Sequence, residues 1–420
     1  MPLPLETSRK RAAKPQVDEV AALAARPELK DALAWFGRER KWIDEQHLAL
    51  CRIPAPTFRE EKRAEWVQMQ LRLLGWDAKI DRAGNVVATL GAGTRPLVAL
   101  TAHLDTVLAA GAPEEIRFDG NRFLGPGVSD NGAGLAALLA VARVMPQFDL
   151  GSNTPAAVLL AANVGEEGEG NLSGMRFLCR QSSFAQRIRS FLVLDGPATD
   201  HITAEALACR RFEIVFQGPG GHSWSDFGTA NPVNALCRAI ADFADLRAEG
   251  TTGSGRMSFN FGVIEGGSTI NAIPAQARAK TDLRAADPAL LDEMVQQLAR
   301  TLERSVALEN ERSTGGRVSA KMRETGSRPG GSLPAGAPIL AAIRAVDEFL
   351  GLKSFLDCAS TDANVPLSLG LPAVSIGAGG QGGGAHTPGE WYSSEGRELG
   401  LRRVLLTLGL LLEEPAAGAA

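Results

Sequence analysis

The sequence predicts an α/β protein: a mostly parallel sheet flanked by helices, interrupted by a smaller α+β domain with an antiparallel sheet. Three observations carry this. Apolar runs of strand length (NVVATL, PLVALTAH, AAVLLAAN and FLVLDG) alternate with helical patterns through the first half. From about Ile202 the strand patterns become alternating, half-apolar and half-polar, as antiparallel sheets with one covered face require. After SRPGGSLPAGAP, a stretch rich in Gly, Pro and Ser that reads as a linker, the first style resumes.

In chain order, helices are expected over EKRAEWVQMQLRLLG and GAGLAALLAVARVM, the second behind Ser129, Asp130 and Asn131 as capping residues. The inserted part opens with the strand RRFEIVFQG and the loop GPGGHSW. A helix begins at Asn231-Pro232, an N-cap followed by proline in the first turn. Strand patterns MSFNFGVIEGG and INAIPAQARAKTDLR follow, then a helix from Ala286 to about Leu308 and the strand RVSAKMRE. The helix PILAAIRAVDEFLG, the strand PAVSIGAGG and a terminal helix in LRRVLLTLGLLLEE complete the chain. The expected division is a larger domain in two parts, 1–203 and 326–420, around an insertion at 204–325.

A chain of 420 residues can hold two or three domains. With 45% hydrophobic and 22% charged residues it is composed like an ordinary soluble protein, and a net charge of −4 argues against nucleic acid or an anionic membrane as partner. The five cysteines are scattered and form no CxxC pair, which suits buried thiols in a reducing compartment. The start, MPLPLETSRKRAAKPQ, has no apolar core of a secretory signal, and its first dozen or so residues are expected to be disordered. The closing apolar run is too short to cross a bilayer. Cytoplasm is the expected location.

The chemistry is expected where strands end. NVGEEGEGN places Glu166, Glu167 and Glu169 at the mouth of a buried strand with no neighbouring base, so a bound cation is expected to offset their repulsion. Only five histidines are present. His103, in LTAHLDTV, ends a strand, and Asp105 two positions on falls on the same side of an extended chain, where it can orient the ring. Asp130 precedes a helix, Asp195 ends FLVLDG, and His386 sits in the glycine-rich GAGGQGGGAHTPGEW. Each has an ordinary reading alone, as a cap, a turn or a loop residue. Together they follow the carboxyl ends of parallel strands, where open α/β sheets gather their sites. Two imidazoles with several carboxylates form a ligand set suited to zinc, with cobalt or manganese as alternatives, and a dinuclear centre relieves the repulsion of so many acids.

The ordered set HLD, SDNGAG, GEEGEG, LDGP, GGHSW and AHTPGEW resembles the two-zinc aminoacylase/peptidase family, from about residue 40 to the end. The resemblance implies two Zn2+ per subunit. His103 and Asp195 would hold one, Glu167 and His386 the other, and Asp130 would bridge them across a peptide bond to Asn131 that tends to be cis. It further implies that Asp105 steadies His103 and that Glu166 is the general base. His222 would reach the developing oxyanion from the partner subunit of a homodimer joined through the insertion. Asn271 and Arg284 would bind a substrate carboxylate, for which a planar guanidinium is suited. Glu169, His47 and His201 are given no role. Aspartate at position 195 resembles the aminopeptidase branch, so a di- or tripeptidase acting on small peptides is expected. The alternative is a deacylase or carboxypeptidase acting on N-acyl amino acids, and more remote are a non-catalytic binding protein and two-metal chemistry on phosphate esters.

Overall fold

The computed structural model describes residues 17–249, 256–334 and 336–415. The expected disordered start falls outside the described residues. Among them, no helix is long and apolar enough to cross a membrane.

The central sheet is mixed rather than mostly parallel. Its middle, Ala157–Asn163, Leu97–His103, Ile188–Leu194 and Ala373–Ile376, is parallel. Antiparallel strands flank it: Val86–Thr89 and Asp77–Ile80 on one side, His201–Ala206 and Gly331–Ser332 on the other. NVVATL carries the apolar run of a buried strand, but its direction is set by the short turn that returns the chain from Asp77–Ile80, and an apolar pattern does not encode direction. The strand Phe355–Ala359 lies parallel to His201–Ala206.

Leu97–His103 and Ala157–Asn163 are buried at every position, as central strands covered on both faces must be. The helix Gly132–Gln147 is buried along nearly its whole circumference. Its alanines and glycines allow close approach, and leucine and valine fill the remaining space. Asn131 alone caps it, accepting the Gly134 N–H at 3.1 Å. Helices Val17–Ala24, Pro338–Leu350 and Arg397–Glu413 pack together on the same core.

The inserted sheet has the order Met257–Gly266, Gln276–Ala285, Ala208–Gln217, Ser319–Arg328, all antiparallel. Along Gln276–Ala285 buried and half-buried residues alternate, and the buried face meets the helices Pro232–Glu249 and Pro288–Arg312 over a separate core of Phe212, Ile214, Phe216, Phe243, Leu283 and Leu298. Asn231 caps the first of these helices, accepting the Val233 N–H at 2.9 Å. SRPGGSLPAGAP is more than a linker: Arg328 ends a strand in it and Gly331–Ser332 joins the central sheet.

A small third sheet, Arg117–Asp119, Arg122–Leu124, Trp391–Ser393 and Gln381–Gly383, went unseen in the sequence because its strands are only three residues long. The loop between its last two strands in the chain carries His386.

Candidate metal centre

Strand Leu97–His103 delivers His103 to the carboxyl end of the central sheet, and Ile188–Leu194 delivers Asp195 beside it. The His103 Nδ1–H donates to the main-chain carbonyl of Asp105 at 3.0 Å, while the Asp105 carboxylate stands 3.6 Å away. Asp105 thus orients the ring chiefly through its carbonyl. A carbonyl only accepts, so Nε2 is left facing outward. It lies 3.1 Å from Asp130 Oδ1 and 3.8 Å from Asp195 Oδ1. The other Asp130 oxygen is 3.0 Å from His386 Nε2, which is also 3.0 Å from Glu167 Oε1. Two sets therefore share Asp130: His103, Asp130 and Asp195, and Asp130, Glu167 and His386, each with ligand atoms within 4.8 Å of one another. His103, Glu166 and Glu167 form a third such set. The Asp130–Asn131 peptide is cis.

The Asp105 carboxylate works on the glutamate loop. It accepts the main-chain N–H of Glu166 at 3.0 Å and of Glu167 at 2.9 Å, and the Thr57 hydroxyl at 2.9 Å. Glycine makes that loop possible. Gly165 has φ +65°, and a Cβ there would meet Ser173 Oγ at 2.2 Å. A Cβ on Gly170 would stand 2.6 Å from the Gly165 Cα.

The electrostatics call for positive charge. Burial disfavours a charged His103, yet hydrogen bonds to Asp105, Asp130 and Asp195 hold its pKa well above the usual imidazole range. Asp130 and then Glu167 raise His386 to about 10. Burial works against ionised Asp130, and His103 and His386 outweigh it, keeping that carboxyl below its ordinary range. Two imidazoles, three facing carboxylates and a carboxylate presenting one oxygen to each imidazole fit a divalent metal centre. A cation there would take over the charge that the imidazoles otherwise supply.

Two acids of NVGEEGEGN have basic partners, contrary to the expectation of a purely cationic offset. Arg328, buried, donates from Nη1 to Glu166 Oε1 at 2.8 Å and from Nη2 to the Glu166 carbonyl. Lys280 Nζ pairs with Glu169 Oε1 at 2.5 Å, so Glu169 is not merely a solvated loop acid. Both bases come from the inserted sheet, more than a hundred positions along the chain. Burial raises Glu166 well above the carboxylate range against the opposing charge of Arg328.

The inserted-domain candidates lie apart from this cluster. His222 pairs with Ala272 in a two-residue ribbon, and the Ser223 N–H donates to the Asn271 carbonyl at 3.0 Å, so His222 and Asn271 are neighbours. The His222 Nδ1 accepts the N–H of Trp224 and Ser225 at 3.2 and 3.3 Å, within its own turn. Arg284 sits at the far end of Gln276–Ala285, paired to Asp282 at 2.6 Å.

Sequence reasoning passed over four buried groups. Arg328 was concealed in the apparent linker. Glu390 accepts three N–H groups around Asp130 and lies within the quoted motif AHTPGEW, which was signal enough to find it. Glu60 accepts the Gly165 N–H at 3.1 Å. Asp362 accepts from Asn163 Nδ2 at 2.5 Å, and burial lifts it to about 7. The last two stand in segments without a strand signal.

Fold and site define an α/β domain with a carboxylate–histidine centre at its strand ends and an inserted α+β domain with an antiparallel sheet. Residues 85–210 match peptidase family M28, and residues 209–307 match the M20 peptidase dimerisation domain. These two matches bear out the resemblance that the motifs carried, a peptidase segment followed by a peptidase dimerisation segment. It is 26% identical over 303 residues to the cytosol non-specific dipeptidase of Escherichia coli, covering 61% of this chain and 56% of that protein. With carboxypeptidase G2 of Pseudomonas it shares 24% identity over 205 residues, 48% of this chain and 47% of the relative. It thus spans about half the length of these relatives. In solved structures the fold recurs in a tripeptidase from Staphylococcus aureus (TM-score 0.69, 20% identity, 89% of this chain and 98% of that one). It recurs also in a dipeptidase from Saccharomyces cerevisiae (TM-score 0.72, 14% identity, 92% and 99%).

Proposed function

We propose that this chain is a metal-dependent hydrolase cleaving an amide bond in small peptides, of the aminopeptidase, di- or tripeptidase type. The observation that carries the reading is the Asp130 carboxylate, with one oxygen toward His103 and the other toward His386. Two divalent ions, zinc by the donor chemistry and cobalt or manganese as substitutes, would be held by His103, Asp130 and Asp195 and by Asp130, Glu167 and His386. When bound, such ions polarise a carbonyl and make a water acidic enough to attack near neutral pH.

The remaining work falls to the chain. Glu166, adjacent to both sets, takes a proton from the attacking water and returns it to the leaving nitrogen as the C–N bond breaks. Asp105 keeps the His103 ring and the Glu166 and Glu167 main chain in place. His222, beside Asn271 on the inserted domain, is assigned to the oxyanion of a partner subunit's site. Asn271 and Arg284 are assigned to a substrate carboxylate. That arrangement requires a homodimer through the inserted domain, where the strand Met257–Gly266 stands outermost in the sheet order among the described residues. The domain division 1–203, 204–325 and 326–420 and a cytoplasmic location belong to the same reading, and the cytosol dipeptidase relative supports the location.

The test is metal analysis of the purified protein and a panel of di- and tripeptides beside N-acetyl and N-succinyl amino acids, with zinc, cobalt and manganese. Free-amino peptides should be cleaved, and Glu166→Ala should lose that activity while retaining metal. Exclusive N-acyl cleavage would move the reading to a deacylase. Absence of bound metal, or a mutant as fast as wild type, would overturn it.

A further inference from the structure

Three strands of the inserted sheet converge on one short loop of the metal centre. Arg211, on Ala208–Gln217, donates to the Gly168 carbonyl. Lys280, on Gln276–Ala285, pairs with Glu169 at 2.5 Å. From Ser319–Arg328, the Ser327 N–H donates to Asn171 Oδ1 at 2.9 Å, and Arg328 takes Glu166 itself.

Glu166 is thereby gripped from two sides. Its N–H goes to Asp105 of the peptidase domain, while its carbonyl and one carboxylate oxygen go to Arg328. The Arg328 side chain is 4% exposed and that of Glu166 6%, so water screens this pair little. Lys280 and Glu169 are half open to solvent, and an exposed pair of that kind holds weakly. The decisive contact is therefore the Arg328 fork, whose two N–H groups fix both the peptide plane and the carboxylate of one residue.

We propose that Arg328 is a positioning residue, which sets the Glu166 carboxylate from the last strand of the inserted sheet, with Lys280 and Arg211 steadying the rest of the loop. The seating of the inserted sheet against the glutamate loop is thus transmitted to the group that carries the proton. The proposal rests on the role of Glu166 given above.

The test compares the full-length wild type, loaded with zinc, with Arg328→Ala, Arg328→Lys and Lys280→Ala. Hydrogen exchange over 163–172 is followed without substrate, and kcat and KM are measured on one peptide as free acid and as carboxyl amide. In Arg328→Ala the loop should exchange faster, and kcat should fall about 100-fold, the cost of misplacing a reacting group by an ångström, with KM little changed. The fall should be equal for both substrates. Arg328→Lys should recover part of it, because an ammonium replaces only one arm of the fork. Lys280→Ala should speed exchange modestly, and it carries the test if Arg328→Ala does not fold. Unchanged exchange would overturn the proposal, as would a loss confined to the free acid, which would make Arg328 a binder of the substrate carboxylate. If wild type cleaves no amide, the functional reading fails, while the exchange data still decide whether Arg328 holds the loop.

Discussion

The Glu390 carboxylate accepts the main-chain N–H of Asp130 at 2.8 Å, across 260 positions of sequence. The same oxygen takes the Ser129 N–H at 2.7 Å, and the other takes Gly127 at 2.8 Å. One buried acid therefore shapes the whole turn that presents the shared carboxylate. Loss of such an outer partner typically weakens metal binding about 10–100-fold, and Glu390→Ala should do so in a zinc competition against a chelator. Glu390→Gln should recover part of the loss, since its amide keeps one accepting oxygen. An unchanged zinc affinity in Glu390→Ala would remove Glu390 from the site.

His47 makes stability fall in acid. Its Nε2–H donates to the Val128 carbonyl at 2.7 Å, and the ring stacks on Phe123 with centroids 4.5 Å apart. Burial first, and then the Arg397 charge, lowers its pKa from 6.5 to about 3. The unfolded chain thus binds a proton near pH 6.5 that the folded chain refuses until about 3. Stability drops through that window as pH falls, by at most about 1.4 kcal/mol per unit from this group. Urea midpoints from pH 7.5 to 5 should fall more steeply for wild type than for His47→Gln. Parallel curves would contradict the assignment.

Gly132→Ala and Gly37→Ala should part company. A Cβ at 132 would stand 2.5 Å from Cys51 Sγ, 2.6 Å from the Gly127 carbonyl and 2.9 Å from His47 Nε2. Overpacking of this kind costs about 1–3 kcal/mol. At 37, inside a helix, nothing lies within 4 Å, and alanine should stabilise by about 0.5–1 kcal/mol. Chemical denaturation of both variants checks the contrast.

Asp347 and Arg403 form a two-pronged pair at 2.6 and 2.7 Å, with side chains 5% and 0% exposed. Removing one partner strands a buried charge, and Asp347→Ala should lose about 3–5 kcal/mol. A leucine–methionine replacement of both residues should lose far less. Equal losses for the single and double variants would show that the pair itself carries the stability.

Metal should stabilise the fold as well as equip it. Zinc binding only the folded chain adds about 2.7 kcal/mol when free zinc is a hundred times Kd. The melting temperature should rise with zinc and fall on chelation, and Asp130→Ala should abolish the response.

Much of the chain was legible because its signals are local. The runs at Leu97–His103 and Ala157–Asn163 read as buried strands, and Asn131 and Asn231 read as helix caps, because periodicity and capping act over a few residues. The antiparallel direction of Val86–Thr89 and the three-residue strands around Trp391 were not legible, since pairing partners leave no local trace.

By itself, then, the sequence determined the longer elements, the α/β plan with its insertion, and the acids and histidines that could meet at the strand ends. Tertiary structure alone decided which atoms face which. It turned the Asp105 carbonyl to His103 and the Asp105 carboxylate to the glutamate loop, and it brought Glu390 to Asp130 and Arg328 to Glu166. Those contacts join residues up to 260 positions apart. They arise when packed elements force buried charges and main-chain groups to find partners, and apart from His103 and Asp105 no stretch of sequence a few residues long contains both halves of such a pair.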